Sequence, residues 1–296
     1  MRERLHSFNY IVPQTFEEVT HYLSTLDEAC LLAGGTDLIV AMKLKGLRPK
    51  NIISLKNFKN MLSYIIEEKE YIRIGALTTF HDLETSLLIS EKFKVLHEAI
   101  QQIAFYQIKN IATIGGNLCN ASPAADSAPP LMVLNAQLVI IGPNGERRIP
   151  IDKFFIGPGK TVLSKGEFLK EIIIPYMPES SGAAYIKLGR RRGIDISVVS
   201  STAFVRLDGE LIVDSRIALG SVAPTPTRAH NAERILKGKK TSRKHIIEAS
   251  EKVVEDINPI TDVRASAEYR REMAKVLTAK ALQIAIKRAG GEIYED

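Results

Sequence analysis

The chain reads Leu31-Leu32-Ala33-Gly34-Gly35-Thr36-Asp37-Leu38 where an apolar strand runs into a glycine pair. A second glycine pair stands in Thr113-Ile114-Gly115-Gly116-Asn117. Glycine has no Cβ and reaches positive φ freely, so such a turn lets an anion approach backbone N–H groups. A helix that starts after the turn adds a dipole that favours negative charge. Each pair taken singly is also typical of a plain tight turn, so both interpretations stay open.

Two common phosphate-binding motifs do not occur in the sequence. No Gly-x-Gly-x-x-Gly follows a strand, which excludes the dinucleotide fold of the parallel-sheet dehydrogenases. No Gly-x-x-x-x-Gly-Lys occurs either, which excludes a P-loop and simple nucleoside-triphosphate chemistry.

Composition is that of an ordinary globular protein with two domains. Of 296 residues, 45% are hydrophobic and 25% are charged. The net charge is +6, yet aromatic residues make up 6% and tryptophan is absent. The densest basic runs, Arg190-Arg191-Arg192 and residues 237–244, contain no interleaved aromatics for stacking on bases. We therefore expect no nucleic-acid binding, and these runs fit solvated faces or docking onto a more acidic subunit.

The two cysteines, Cys30 and Cys119, are too few for a disulfide framework, an iron–sulfur cluster or a four-cysteine zinc site. The histidines show no paired metal spacing, so no metal site is predicted. The first ten residues lack the apolar core of a signal peptide, and no apolar run reaches the ~20 residues of a membrane span. The expected location is cytoplasmic.

The fold class expected from these patterns is α+β. A serine- and proline-bearing stretch at residues 177–182 is the predicted domain boundary. It separates a first domain over residues 1–175, with subdomains of about 1–57 and 58–175, from a second domain over residues 176–296.

Local signals place the elements of the first domain. Thr15 is predicted to cap a helix, and Thr78 or Thr79 to cap another. Asn144-Gly145 predicts a hairpin, because both residues tolerate positive φ. The small, proline-rich residues 117–130 are expected to form a loop.

In the second domain, strands are predicted at 184–188, 197–206 and 211–219, forming a three-stranded antiparallel sheet packed against helices. A proline-bearing turn, a helix over 229–236 and a lysine-rich loop follow. The last helix, over 266–287, carries an apolar stripe that we interpret as packing surface: Met273, Leu277, Ala281 and Ile284.

Four segments resemble the FAD-binding medium subunits of the molybdenum hydroxylases, the relatives of xanthine dehydrogenase and carbon monoxide dehydrogenase. They are Leu31 to Leu38 with Met42-Lys43, Ile108 to Leu118 with Ala121 to Asp126, Gly220 to Arg228 with Ala232-Glu233, and Ser266 to Arg271. The likeness extends over essentially the whole chain. It implies a two-subdomain FAD-binding domain of the vanillyl-alcohol-oxidase/PCMH-like type, followed by a smaller carboxy-terminal domain.

The resemblance also implies which residues contact FAD. Leu31 to Leu38 would wrap the pyrophosphate and ribose, and Thr113 to Asn117 would hold the pyrophosphate from the other side. Asp126 would hydrogen-bond the flavin side chain of the cofactor. Apolar contacts are implied for Ile103 and Leu169, and positions beside the flavin for Lys187 and Ile196.

The residues themselves leave some of these roles open. A lysine near the flavin ring would stabilise the anionic reduced form, but Lys187 read alone favours a solvated strand lysine. Asp126 read alone is an ordinary turn aspartate. Ile196 stands where some relatives have tyrosine, which leaves an oxidant's access to that face open. Cys119 is expected to be a small buried filler rather than a redox thiol.

The function implied by the resemblance is electron transfer within a multi-subunit enzyme. A large subunit would carry the molybdopterin cofactor, and a small subunit would carry two [2Fe–2S] clusters, in a dimer of heterotrimers. FAD on this chain would pass electrons to an external acceptor, NAD or a quinone-like carrier. No catalytic acid or base is expected here, because the cofactor supplies the chemistry.

Two rival functions remain open from the sequence. One is a free-standing FAD-dependent oxidase or reductase of the same fold, which would need acid–base residues in its own substrate pocket. The other is a flavin-binding or assembly module without catalysis.

Overall fold

The computed structural model describes residues 5–191 and 194–295. Arg192 of the basic run and the first four residues lie outside the described residues. Helices and strands alternate in both halves of the chain, so the expected α+β class is confirmed.

A small parallel sheet forms the amino-terminal layer. It comprises β1 (Asn9–Ile11), α1 (Phe16–Thr25), β2 (Ala29–Leu32), α2 (Leu38–Leu44) and β3 (Asn51–Ser54). The strand order is β1-β3-β2, and β3 is parallel to both neighbours. Thr15 accepts a hydrogen bond from Glu18 N at 3.2 Å and caps α1 as predicted. The first glycine pair leaves the carboxyl end of β2 and leads into α2.

A five-stranded sheet with a group of short helices follows. Its elements are α3 (Lys59–Leu62), β4 (Ile65–Glu67), β5 (Tyr71–Gly75), α4 (Phe80–Thr85), α5 (Leu87–Lys92), α6 (Lys94–Gln101), α7 (Tyr106–Lys109), α8 (Ile114–Cys119), α9 (Ala128–Val133), β6 (Gln137–Gly142), β7 (Gly145–Pro150), β8 (Phe155–Gly157), β9 (Lys160–Thr161) and β10 (Phe168–Pro175). The sheet order is β4-β5-β10-β6-β7, antiparallel throughout. The predicted hairpin is confirmed, because Gly142 pairs with Gly145 across the turn. Gly145 has a φ of +98°.

The loop predicted over residues 117–130 is confirmed for residues 120–127 only, because both ends of the segment are helical. Helix α8 runs to Cys119, and α9 begins at Ala128. Pro129 and Pro130 occupy the first turn of α9, where a missing N–H leaves no intrahelical bond unmade. Proline therefore starts this helix instead of preventing it.

The carboxy-terminal sheet has one strand more than predicted. It contains β11 (Ser181–Leu188), β12 (Val199–Asp208), β13 (Leu211–Gly220) and β14 (Thr227–Arg228), in that order and antiparallel. The fourth strand lies in the segment predicted to be a proline-bearing turn. With two residues, it is too short to show any alternation of apolar and polar side chains.

Three helices complete this region: α10 (His230–Leu236), α11 (Arg243–Lys252) and α12 (Ala267–Arg288). Helices α10 and α12 pack on the sheet, and α11 packs on α10 and α12. Helix α11 corrects the expected lysine-rich loop, and its start is capped by Ser242, which accepts from His245 N. Helix α12 packs on β11 and β12. Leu277 and Ala281 of its predicted stripe are buried, so the interpretation as packing surface is confirmed.

One apolar cluster includes residues of both halves of the molecule. Ala183 and Tyr185 of β11 are buried in the same cluster as the helices of the five-stranded region. Arg288, at the end of α12, donates to Glu98 Oε2 at 3.0 Å and to the Ala183 carbonyl at 2.7 Å. Because side chains alternate along a strand, Lys187 lies on the same face of β11 as Ala183 and Tyr185.

Candidate functional site: a cavity between two glycine loops

A cavity of about 860 Å³ opens where the first glycine loop (residues 33–38) meets the second glycine loop (residues 112–117). Most of the residues implied by the resemblance line it: Leu31, Ala33, Gly34, Gly35, Thr36, Asp37, Leu38, Ile103, Thr113, Gly115, Gly116, Asn117, Asp126, Leu169 and Ile196. Segments far apart in the chain therefore form one site.

Three of the implied residues do not line the cavity. Ile114 is fully buried in the core. Leu32 packs under the first glycine loop, since a Cβ on Gly35 would lie 2.8 Å from its Cδ1. Lys187 stands behind the cavity wall with its side chain 4% exposed. The alternative interpretation of Lys187 as a solvated strand lysine is therefore wrong.

The first glycine loop presents free backbone donors. Gly35 has a φ of +77°, which L side chains rarely adopt. A Cβ on Gly34 would lie 2.0 Å from the carbonyl oxygen of Ile111, so this glycine lets the two loops touch. Within residues 5–191 and 194–295, the N–H groups of Thr36 and Asp37 have no hydrogen-bond partner. They precede the first turn of α2, where backbone N–H groups attract anions.

The second glycine loop uses its backbone donors in the fold. Ile114 N donates to the Thr78 carbonyl at 3.0 Å and Gly115 N to the Ala76 carbonyl at 2.9 Å. Gly116 N donates to Thr113 Oγ1 at 3.1 Å, which caps α8. The expectation that both glycine pairs offer N–H groups to an anion thus holds for the first loop alone.

The second glycine loop offers side-chain donors, instead of backbone donors, to the cavity. Asn117 Oδ1 accepts a hydrogen bond from buried Ser127 Oγ at 2.7 Å, which leaves its NH₂ group as a donor. The Thr113 oxygen accepts from Gly116 N, so its hydroxyl hydrogen is free to donate.

Asp126 occupies a buried, fully organised position on the cavity wall. Its Oδ1 accepts from Tyr185 OH at 2.7 Å and from Ser197 Oγ, and its Oδ2 accepts from Lys187 Nζ at 2.6 Å. Lys187 also donates to the Gln102 carbonyl at 3.0 Å. Asp126 is therefore not an ordinary turn aspartate, and its charge is balanced by a buried lysine.

Several lining residues were missed by the sequence reasoning. They are mainly apolar or small: Cys30, Ala41, Leu47, Leu55, Ala76, Leu77, Phe80, Ala104, Phe105, Ile108, Ala112, Cys119, Asn120, Ser122, Ala124, Ala125, Phe168, Arg191, Ile194 and Asp195. A signal existed for Ser122 to Ala125, which belong to the motif that ends at Asp126. The others come from elements whose position depends on the packed fold.

The cavity contains no acid–base couple among its described lining residues. Apart from two cysteine thiols, its ionisable groups are Asp126, which is already paired, Asp37, Arg191 and Asp195. Desolvation acts to raise the pKa of Asp195, but hydrogen bonds from Ile196 N and Arg190 N outweigh it and lower that pKa. A carboxylate held ionised in this way is a poor general base at neutral pH.

The two cysteines also line the cavity, at Cys30 and Cys119. Burial raises the pKa of Cys119 to about 12 and that of Cys30 above its ordinary value. Both thiols stay protonated near neutral pH, and protonated thiols are unreactive. Their chemistry is that of small apolar fillers.

Neither a membrane helix nor a metal cluster is found in the part of the chain that the structure describes. No helix there combines the length and apolar character needed to cross a membrane. No group of three or more His, Cys, Asp or Glu side chains there could hold a metal ion.

Two family models match the chain, one after the other. The model described as the FAD binding domain in molybdopterin dehydrogenase matches residues 6–177. The model described as the CO dehydrogenase flavoprotein C-terminal domain matches residues 184–285. The chain belongs to the FAD-binding medium subunits of the molybdenum hydroxylases.

Relatives of this medium subunit match over nearly their whole length. The xanthine dehydrogenase FAD-binding subunit of Escherichia coli O157:H7 is 34% identical over 280 residues, 94% of this chain and 96% of the relative. The glyceraldehyde dehydrogenase medium chain of Sulfolobus acidocaldarius is 35% identical over 276 residues, 93% and 97% of the two chains. A solved carbon monoxide dehydrogenase from Hydrogenophaga pseudoflava superposes with a TM-score of 0.93 at 34% identity, covering 97% of this chain and 99% of that one.

The residues of this medium subunit fit FAD. The cavity lies at the upper end of the roughly 300–1,000 Å³ of small-molecule sites. Free N–H groups at Thr36 and Asp37 suit a pyrophosphate, and Ile103 and Leu169 supply apolar wall. The cavity therefore has the size and the donors that FAD requires, and the chain is an FAD-binding subunit of a molybdenum-containing oxidoreductase.

Proposed function

We propose that this subunit carries electrons out of a molybdenum hydroxylase complex. A large molybdenum-cofactor subunit oxidises or hydroxylates the substrate, and a small subunit with two [2Fe–2S] clusters delivers electrons to the FAD site. The external acceptor is NAD or a quinone-like carrier. When bound, FAD supplies the exchange between one-electron and two-electron carriers, while the protein binds and tunes it. The observation that carries the proposal is the cavity between two glycine loops, in a chain of this family.

The first glycine loop is proposed to bind the pyrophosphate through its backbone. The N–H groups of Thr36 and Asp37 are free donors, and the Thr36 hydroxyl lines the same cavity. Gly35 gives the turn its positive φ, and Gly34 brings the loop against Ile111.

The second glycine loop is proposed to bind the same pyrophosphate through side chains. The Thr113 hydroxyl and the Asn117 NH₂ group can both donate into the cavity. Gly116 leaves space between the two loops, since a Cβ added at this position would lie 3.9 Å from Ala33 Cβ of the first loop. The role that the resemblance implied for Thr113 to Asn117 is thus kept, with side chains as the proposed donors.

The flavin end of the cavity is proposed to lie near Asp126. Its carboxylate would accept a hydrogen bond from the flavin side chain of FAD, and Ile103 and Leu169 would make apolar contacts. Lys187 does not reach the cavity, so we propose that it acts by balancing the charge of Asp126. Ile196, 50% exposed at the cavity edge, would leave that face accessible to an acceptor.

We infer a domain division after β10, which ends at Pro175, and before β11, which starts at Ser181. Within the first domain, a division near residue 57 would separate the parallel sheet from the five-stranded sheet. The proposed assembly is a dimer of heterotrimers, and the proposed location is cytoplasmic.

The test is to purify the native complex through this chain and record its visible spectrum and subunit pattern. The expected result is flavin absorbance with iron–sulfur features, two co-purifying subunits, and bleaching of the flavin by the complex's own substrate. A yellow homomer that oxidises a small molecule unaided would replace the proposal with the free-standing oxidase. Bound FAD that no co-purifying donor reduces would indicate a flavin-binding or assembly module.

A further inference from the structure

The carboxylate of Asp126 is held by residues of the carboxy-terminal domain. Tyr185 and Lys187 both come from β11, and Ser197 lies two residues before β12. All three donate to Asp126, which lies in the loop before α9 of the other domain. A residue that lines the FAD cavity is thus oriented from across the domain interface.

The hydrogen bonds leave Asp126 with one unused acceptor position. An ionised carboxylate has about four lone-pair sites, two on each oxygen. Oδ1 accepts from both Tyr185 OH and Ser197 Oγ, so both of its sites are filled. Oδ2 accepts from Lys187 alone. The remaining site therefore belongs to Oδ2, beside the lysine.

Tyr185 is suited to hold Oδ1 permanently. Its ring is 3% exposed and does not line the cavity, so it reaches the site only through Asp126. Burial, and then the charge of Asp126, raise the pKa of Tyr185 well above its ordinary value. The phenol consequently remains a proton donor at any pH at which the protein works.

We propose that Tyr185, assisted by Ser197, is a positioning residue for FAD. By occupying Oδ1, the two hydroxyls fix the rotation of the carboxylate and direct Oδ2 to the cavity. The torsion of an aspartate carboxylate is otherwise soft. Without Tyr185, the carboxylate can turn and give both oxygens to the Lys187 ammonium. The inference rests on the proposed role of Asp126 as an FAD contact.

The test compares two tyrosine substitutions in the full-length chain. Tyr185→Phe removes the phenol that binds Asp126, and Tyr64→Phe removes a phenol that donates to Glu171 at 2.5 Å. Neither Tyr64 nor Glu171 lines the cavity, so Tyr64→Phe is the matched control. FAD is titrated into each apoprotein and binding is followed by flavin fluorescence. We expect Tyr185→Phe to raise the Kd for FAD roughly tenfold, the effect of about one hydrogen bond, and Tyr64→Phe to leave it unchanged.

A double-mutant cycle separates positioning from general loss of structure. The reference is Asp126→Ala with Lys187→Met, which removes both carboxylate acceptors without leaving a buried, unpaired ammonium. If Tyr185 acts through Asp126, adding Tyr185→Phe to this pair should not weaken FAD binding further. Three outcomes would each overturn the inference. Tyr185→Phe could weaken FAD binding equally with and without the carboxylate, it could leave the Kd for FAD unchanged, or Tyr64→Phe could weaken FAD binding as much as Tyr185→Phe does.

The same cycle tests the role on which the inference rests. If the Asp126→Ala, Lys187→Met pair binds FAD like the native chain, Asp126 is not an FAD contact, and the inference fails with it. If that pair binds weakly while Tyr185→Phe binds normally, the role of Asp126 stands and only the positioning by Tyr185 is overturned.

Discussion

The two glycine loops contain the same dipeptide within two residues of a threonine, but the fold uses them differently. In the first glycine loop, the N–H groups of Thr36 and Asp37 are free within the described chain. In the second, the N–H groups of Ile114 and Gly115 are bonded to the segment that follows β5. The first loop is a donor surface with free N–H groups, whereas the second is a wall of the cavity whose N–H groups are hydrogen-bonded to the segment after β5. A glycine pair in a sequence indicates that another group comes close to the backbone. It does not indicate whether that group is a ligand or another segment of the chain.

The loops require glycine for two different physical reasons. Gly115 fits against Ala76, since a Cβ there would lie 2.6 Å from the Ala76 carbonyl oxygen. Gly35 instead serves a backbone conformation, with its φ of +77°. Close packing of chain on chain thus explains Gly115, and turn geometry explains Gly35.

The largest expected effect is from Gly34→Ala, which would push the two loops apart. The new methyl carbon would lie 2.0 Å from the backbone oxygen of Ile111, a contact that no side-chain rotation relieves. We expect a loss of about 3 kcal/mol in the free energy of unfolding, at the upper end of overpacking effects, together with loss of FAD binding. Urea denaturation of the apoprotein measures the change in the free energy of unfolding.

The control for Gly34→Ala is Gly157→Ala in β8, where the added methyl group meets nothing within 4 Å and φ is not positive. Native stability in Gly34→Ala would show that the loops are not in contact as described, and would remove the basis of the comparison.

A smaller effect is expected from Gly116→Ala in the second glycine loop. Its methyl carbon would lie 2.9 Å from Thr113 Oγ1 and would weaken the cap of α8. Loss of a cap costs about 1 kcal/mol of stability. Because the methyl also narrows the cavity, we expect the Kd for FAD to rise roughly tenfold, equivalent to about 1.4 kcal/mol.

Thr15→Ala is the control for Gly116→Ala, because it removes a similar cap from α1, and Thr15 does not line the cavity. It should lower the melting temperature as Gly116→Ala does and leave FAD titration unchanged. If both variants bind FAD equally well, the second glycine loop is structural only.

The smallest effects, and the sharpest comparison, come from Thr36→Ala and Thr113→Ala. The Thr36 side chain makes no hydrogen bond within the described residues, so its removal should change stability by less than about 0.5 kcal/mol. Thr113→Ala loses the α8 cap and should cost about 1 kcal/mol. Both should weaken FAD binding several-fold, by about one hydrogen bond each.

Isothermal titration and thermal unfolding on the same samples measure this difference. A stability loss in Thr36→Ala equal to that in Thr113→Ala would contradict the division into a donor surface and a wall.

Much of the fold could be predicted because its signals are local. Thr15 and its two following glutamates mark a helix start, and Asn144-Gly145 marks a hairpin. Helix α11 and strand β14 were missed for a physical reason. The first has few buried apolar residues, and the second is two residues long, so neither carries a readable period.

The glycine loops of the cavity could be predicted from the sequence, but the buried residues behind its wall could not. Asp126 was implied by its motif, whereas Tyr185 and Ser197 had no motif to indicate them. Lys187 shares a strand face with Ala183 and Tyr185, and this alternation is a signal that could have predicted its burial. Which face of β11 meets the other domain could not be known from a short strand alone.

By itself, the sequence determined where the chain turns on glycine, where helices begin, and which family these segments resemble. Each of these follows from a few neighbouring residues and their backbone preferences. Only the tertiary structure decided which N–H groups stay free, which glycines face packed backbone, and how Asp126 is turned. The reason is that a donor is free or used according to acceptors that arrive from distant parts of the chain. For the second glycine loop, those acceptors are the carbonyls of Ala76 and Thr78.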